Sequence, residues 1–181
     1  MNRFFVSVIF AILFYSSELH SVQRPKPAEY EVKAAFLYNF GKFVTWPPAG
    51  LSRNEFRICI LGQDPFGATL DSIIAGETVE GRTVTVRRIS TPSDSSSCQI
   101  VFISLSEDKR LKGILDVVGK TSALTVSEIP QFTQRGGMIG FILDGSKVRF
   151  EVNLTPGDGA GLMFSSELLR VAASVKRNPG A

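Results

Sequence analysis

Residues 98–118, CQIVFISLSEDKRLKGILDVV, decide the fold. Their first part, residues 98–104, is a nearly continuous apolar run, which is typical of a strand buried on both faces. A helix is predicted from about Ser106, its N-cap, to Val118, because apolar residues recur there at three- and four-residue steps. A buried strand followed at once by an amphipathic helix is part of a β-α-β crossover unit. The stretch therefore predicts a parallel sheet covered by helices.

The same pattern continues on both sides of this unit. Further strands are predicted at residues 56–61, 82–89, 123–127, 138–143 and 148–152. Asp64 and Pro65 follow the first of these strands and are the predicted N-cap and first residue of another helix. Asp144-Gly145 separates the last two strands and predicts a two-residue hairpin turn. The sequence thus predicts a single α/β domain with a central, mostly parallel sheet, flanking helices and an antiparallel hairpin.

Helices are also predicted near both ends of the domain. From Tyr30, apolar residues recur at helical spacing and predict one buried stripe, which ends before Trp46-Pro47-Pro48. The predicted stripe consists of Val32, Ala35, Phe36, Asn39, Phe40 and Phe43. Residues 157–161 are rich in glycine and are interpreted as a flexible turn, after which a last helix is predicted over residues 165–174.

The first 21 residues have the segment order of a secretory signal peptide, with a positive start, an apolar run and a polar end. The run is shorter than the roughly 20 residues that a membrane-spanning helix needs, and an uncleaved anchor is the alternative. Cleavage is expected after Ser21, with a position near Ser17 as the second choice. We therefore expect a periplasmic protein with a signal peptide (1–21), a disordered leader (22–29), one domain (30–175) and a disordered tail (176–181).

Composition excludes several function classes. Export would remove His20, the only histidine, and with it any Ser-His-Asp or Cys-His machinery and the commonest metal ligand. It would also remove Arg3 and Glu18, so that 19 basic and 16 acidic residues remain and the net charge stays at +3. That charge is too small and too scattered to indicate nucleic-acid binding. We expect no enzyme activity, no cofactor and no metal.

The two cysteines, Cys59 and Cys98, each open or lie within a predicted buried strand. The periplasm favours disulfides, and neighbouring parallel strands bring such positions within bridging range. A Cys59–Cys98 bridge is therefore expected, and two buried, unpaired thiols are the alternative. The bridge would be structural, because the chain has no Cys-x-x-Cys spacing.

Polar and glycine residues near the predicted strand ends are candidates for binding. For a small molecule, the pocket would be formed by Arg87, Ser127 and the backbone of Gly136 and Gly137, although surface exposure and close packing are the alternatives. For a protein partner, the contact surface would be formed by Glu151 on the hairpin and by the Gly-Gly-Met loop. The full candidate set is Arg87, Ser127, Gly136, Gly137, Met138, Glu151 and Asn153.

The order of these motifs resembles that of the YfiR-like family of periplasmic proteins, from about Tyr30 to Ala173. The segments that carry the resemblance are residues 31–47 (EVKAAFLYNFGKFVTWP), 59–62, 64–67, 98–107 (CQIVFISLSE), 124–128, 136–139, 149–153 (RFEVN), 161–162 and 165–169 (SSELL). The resemblance implies a repressor that binds the periplasmic sensor domain of an inner-membrane diguanylate cyclase or another sensor. Such a repressor limits cyclic di-GMP and hence exopolysaccharide and biofilm.

The resemblance also implies that Cys59 and Cys98 match a bridged pair that supports the fold. Family members often have His where this chain has Gln99, and some carry a second cysteine pair where this chain has Thr133 and Gly140. A redox switch through a second bridge is therefore not expected. A homodimer is a further expectation, and the alternative function is a periplasmic small-molecule-binding sensory module.

Overall fold

The predicted strand–helix units form the centre of the structure, a computed structural model that describes residues 27–48 and 54–177. The helices are α1 Pro27–Phe43, α2 Ala68–Ile74, α3 Leu111–Val118, α4 Leu154–Gly159 and α5 Ser166–Val171. The strands are β1 Val44–Thr45, β2 Glu55–Leu61, β3 Thr78–Val79, β4 Arg82–Ile89, β5 Ile100–Ile103, β6 Leu124–Ser127, β7 Ile139–Asp144, β8 Lys147–Asn153, β9 Met163–Phe164 and β10 Ser174–Lys176. Short 3-10 turns cover Pro92–Ser97 and Leu105–Arg110.

Over the described part of the chain, the main sheet has eight strands in the order β10-β8-β7-β6-β5-β2-β4-β3. The five strands from β7 to β4 in this order are parallel to their neighbours. Strand β8 is antiparallel to β7, β3 is antiparallel to β4, and β10 is parallel to β8. A separate two-stranded sheet pairs β1 with β9. The predicted α/β class, with a mostly parallel sheet and an antiparallel hairpin, is confirmed.

The central strands of the sheet are buried on both faces, which explains their apolar runs. Successive side chains of β2 point to opposite faces, so that Ile58 and Ile60 join one core cluster while Cys59 and Leu61 join the other. The first cluster is covered by α1, α2 and α5, and the second by α3. Continuous apolar runs are thus required here, and an alternating pattern would leave polar groups in one of the two cores.

Helix α1 differs from its prediction in start and in orientation. It begins at Pro27, so its first turn includes residues expected in the leader. The buried side of the helix carries Ala34, Leu37 and Phe40, whereas Val32 and Phe43 of the predicted stripe are exposed. The helix has apolar residues on more than one side, so spacing alone does not decide which side packs on the sheet.

Helix caps also differ from the prediction by a few residues. Helix α2 begins at Ala68, and the Asp64 carboxylate instead accepts a hydrogen bond from the backbone N–H of Phe66 at 2.8 Å. The turn before α3 is capped by Ser104, whose hydroxyl accepts from the backbone N–H of Ser106 at 3.4 Å. In both places a polar side chain caps the start of a turn, but the helix itself begins later.

The last third of the chain contains most of the unpredicted structure. Asp144 pairs with Lys147, so the hairpin turn is formed by Gly145 and Ser146 and lies one residue later than predicted. The interpretation of residues 157–161 as a flexible turn is wrong in part, because Leu154–Gly159 forms helix α4, capped by Asn153. Helix α5 ends at Val171, and β10 then uses Lys176, which was expected in the tail.

Several predictions fall on residues that the structure does not describe. The predicted signal peptide, most of the leader and residues 178–181 of the tail lie outside the described residues. Within residues 27–48 and 54–177, no helix is long and apolar enough to cross a membrane.

Candidate functional site

Cys59 and Cys98 form the disulfide that the sequence predicts. Cys59 lies in the middle of β2, and Cys98 lies two residues before the neighbouring parallel strand β5. Their Cα atoms are 5.9 Å apart, and both residues are buried in the core cluster beneath α3. The bridge is thus enclosed by the core, where it links two central strands.

The predicted small-molecule pocket is not assembled, because Arg87 lies far from its proposed partners. Arg87 is exposed on β4, whereas Ser127 ends β6, and strands β2 and β5 lie between these two strands. Three strand spacings separate the two strands by about 14 Å. The Arg87 guanidinium instead approaches the hydroxyl of Ser97 at 3.5 Å.

Ser127 and Gly137 are packed into the protein interior. The Ser127 hydroxyl donates to the carbonyl of Ile103 at 2.6 Å and accepts from the backbone N–H of Ile129 at 3.0 Å. A Cβ atom on Gly137 would lie 2.1 Å from the ring of Phe132. Close packing therefore explains Gly137, and Gly136 beside it is exposed.

Glu151 and Asn153 tie the loop before β7 to the edge of the sheet. The Glu151 carboxylate accepts from the hydroxyls of Thr133 at 3.1 Å and Ser174 at 3.2 Å. The Asn153 side-chain amide donates to the Thr133 carbonyl at 2.9 Å, and the Asn153 backbone N–H donates to the carbonyl of buried Met138 at 2.7 Å. The structure thus brings Met138, Glu151 and Asn153 together, and Glu151 is the partly exposed member.

An apolar groove lies between α1 and α5, above Phe150 of β8. Its volume is about 280 Å³, and it is lined by Phe36, Asn39, Phe40, Phe43, Phe150, Glu167, Leu168 and Val171. Phe40 meets Phe150 edge to face, with ring centroids 5.1 Å apart, and forms the floor. Phe43 and Val171 remain 40% and 57% exposed. Four residues of the predicted stripe of α1, those from Phe36 to Phe43, therefore line an open groove.

Glu167 is the charged group of this groove. Its own backbone N–H at the start of α5, followed by the Ser165 hydroxyl, holds the pKa of the Glu167 carboxyl below its usual range. The groove is therefore apolar with a carboxylate that stays ionised at its edge.

A second, polar depression lies at the carboxyl ends of β2, β5 and β6, and we call it the switch-point crevice. It is lined by Tyr30, Gln63, Asp64, Pro65, Ser104, Leu105, Ser106 and Glu128. The Tyr30 hydroxyl donates to the Glu128 carboxylate at 3.1 Å, and the buried Lys33 ammonium contacts Glu128 and Glu29 at 2.5 Å each. Burial raises the pKa of the Tyr30 phenol, and the charge and hydrogen bond of Glu128 raise it further.

The match to known proteins extends over nearly all of the described domain. Residues 30–173 match the family model described as YfiR/HmsC-like. The chain belongs to the YfiR/HmsC-like family. No curated protein matches it.

Structures from two bacteria are among the solved structures that resemble this YfiR/HmsC-like chain. A conserved domain protein from Vibrio cholerae O1 biovar El Tor str. N16961 has a TM-score of 0.54 and 10% identity, with 81% of this chain and 60% of that chain covered. The ABC domain from Streptococcus pneumonia in complex with L-Trp has a TM-score of 0.47 and 11% identity, with 67% of this chain and 55% of that chain covered. The first likeness shows the fold alone, and this chain spans about 60% of the Vibrio protein's length.

Residues of the YfiR/HmsC-like chain that sequence analysis missed belong mainly to the switch-point crevice. Of its lining residues, Asp64, Pro65 and Ser106 were noticed, but only as predicted starts of helices. Tyr30 and Glu128 are 98 residues apart in sequence and meet because the first turn of α1 lies beside the end of β6. The strand order alone would have pointed to this edge.

Proposed function

We propose that this YfiR/HmsC-like protein is a periplasmic regulator that binds and represses the periplasmic sensor domain of an inner-membrane diguanylate cyclase, and so limits cyclic di-GMP and biofilm or exopolysaccharide output. Membership of a regulatory family over residues 30–173 supports the general role. The disulfide between Cys59 and Cys98 is consistent with a periplasmic location, because such bonds persist in oxidising compartments.

The apolar groove is the observation that carries the proposed binding role. Phe43 and Val171 expose apolar surface at its edges, and contiguous exposed apolar surface is typical of a protein contact site. We assign the groove to an amphipathic helix of the sensor domain, whose apolar side chains would enter between α1 and α5. The ionised Glu167 at the groove favours a lysine or arginine beside that apolar face.

A capture experiment with matched variants tests this assignment. Val171→Asp places a charge in the groove, whereas Val117→Asp places the same charge at a similarly exposed valine near the end of α3. We expect the wild type and Val117→Asp to retain the purified periplasmic sensor domain in a pull-down, and Val171→Asp to lose it. Equal retention by all three proteins would contradict the groove as the binding site.

Small-molecule sensing is the second candidate function. The pocket expected from Arg87, Ser127 and Gly137 does not form, since Arg87 lies three strands away and the other two are packed. The observation that favours a ligand is the switch-point crevice. A homodimer also stays a prediction, and sedimentation of the purified protein would test it.

A further inference from the structure

The switch-point crevice lies where the order of the parallel strands reverses. After β2 the chain enters β4 on one side of β2, and it then crosses to β5 on the other side. The loops that leave β2 and β5 therefore run in opposite directions and leave an opening between them. In doubly wound sheets, ligands bind in this opening at the carboxyl ends of the strands.

The crevice has the size and the polar floor of a ligand site. Its volume is about 530 Å³, within the usual range for small-molecule sites. Ser104 is only 4% exposed, and its hydroxyl accepts from the backbone N–H of Ser106. Ser104 is among the residues that line the crevice, so its hydroxyl adds a polar group to the floor.

Gly62 makes this floor possible. It has a φ of +91°, which favours glycine, and a Cβ atom there would lie 2.6 Å from the Ser106 hydroxyl oxygen. The Ser106 hydroxyl also accepts a hydrogen bond from the backbone N–H of Gln63 at 2.9 Å. The loops after β2 and β5 are thus held against each other directly below the opening.

The charges around the crevice favour a cation. Its described lining contributes the carboxylates of Asp64 and Glu128 and no cationic side chain. The Lys33 ammonium lies beneath the surface between Glu128 and Glu29, and these three groups together carry one negative charge in excess.

The other side of the crevice also carries an excess of one negative charge. Arg88 bonds Asp64 at 2.9 Å and Asp71 at 2.6 Å, so this group also has one more carboxylate than cations. Glu107 near the floor is paired with Arg110 and adds no net charge. Anionic ligands such as nucleotides are therefore disfavoured, and an ammonium group is attracted from both sides.

We infer that the switch-point crevice binds a small organic cation, a primary amine on a short aliphatic skeleton. Its ammonium group would donate to Asp64 and Glu128, and its carbon chain would cover Leu105, which is 52% exposed, and Pro65. This site does not depend on the proposed partner, because the apolar groove is lined by a different set of residues.

Titration calorimetry of the purified protein with three probes of equal chain length tests the inference. The probes are 1,4-diaminobutane, 1,4-butanediol and succinate. We expect saturable binding of the diamine and no heat of binding from the diol or the dianion. Absence of diamine binding, or equal binding of the diol, would overturn the inference.

Variants locate the site. Asp64→Asn and Glu128→Gln each remove one carboxylate, and each is expected to weaken diamine binding about tenfold or more, the loss typical of a charge-assisted hydrogen bond. Asp116→Asn removes the same charge from an exposed pair with Lys112 on α3 and should leave the affinity unchanged. Ser104→Ala keeps every charge and should weaken binding by a smaller factor. Equal effects of Asp64→Asn and Asp116→Asn would show non-specific attraction and refute the site.

Discussion

Reduction of the Cys59–Cys98 bridge should lower the stability of the whole domain by about 4 kcal/mol. The two cysteines are 39 residues apart in sequence, so the bridge closes a loop of about 40 residues in the unfolded chain. In the chain-entropy account, constraining a loop of that length contributes about 4 kcal/mol at 25 °C. The loop contains α2, β3 and β4, which the reduced chain would have to order without this constraint.

Equilibrium unfolding in urea, with and without a thiol reductant, measures this contribution. With a urea dependence of about 2 kcal/mol per M, the midpoint should fall by about 2 M. Cys59→Ala and Cys98→Ala should each lose at least this amount, since either breaks the bridge and leaves a small cavity in the core beneath α3. A midpoint shift below about 0.5 M on reduction would refute the argument that the bridge stabilises the domain by constraining its unfolded chain.

Two other predictions concern single residues. Gly137→Ala should destabilise the protein by about 1–3 kcal/mol, because its Cβ would overlap the Phe132 ring. The control is Gly113→Ala in α3, where an added Cβ atom would meet open space, and this variant should stabilise the protein by about 0.5–1 kcal/mol. Equal urea midpoints for the two variants would contradict the packing argument. Because its pKa is raised, Tyr30 contributes stability that is complete below about pH 10 and is lost as the pH rises further. Absorbance titration at 295 nm should give one tyrosine a pKa above the usual range, and Glu128→Gln should lower that pKa. An unchanged titration curve in this variant would exclude Glu128 as a cause of the raised pKa.

The sheet could be predicted from the sequence because burial on both faces leaves a local signal. A parallel strand has to be apolar wherever both of its faces are covered, as residues 58–61 of β2 are, and no distant contact is needed to recognise this. The sequence of α1 does not indicate in the same way which side of the helix packs on the sheet. Leu37 and Phe36 are equally apolar, and only the position of the sheet decides that the first is enclosed while the second lines a groove.

The candidate sites depended on strand order and were mostly missed. Arg87 and Ser127 are both polar residues near strand ends, but strands β2 and β5 lie between β4 and β6. A local sequence pattern does not reveal this strand order. Tyr30, Asp64 and Glu128 come from three distant segments, and the reversal of strand order at β2 places them at one edge. Strand β10 was also missed, since its three residues follow a helix without a turn signal and become a strand only by pairing with β8.

The cellular concentration of cyclic di-GMP tests the central claim most directly. Deletion of the gene should raise cyclic di-GMP, wild-type protein and Val117→Asp supplied in trans should restore the low level, and Val171→Asp should fail to do so although it accumulates in the periplasm to the same amount. Unchanged cyclic di-GMP in the deletion strain would contradict repression of a diguanylate cyclase, and full restoration by Val171→Asp would contradict the role of the apolar groove.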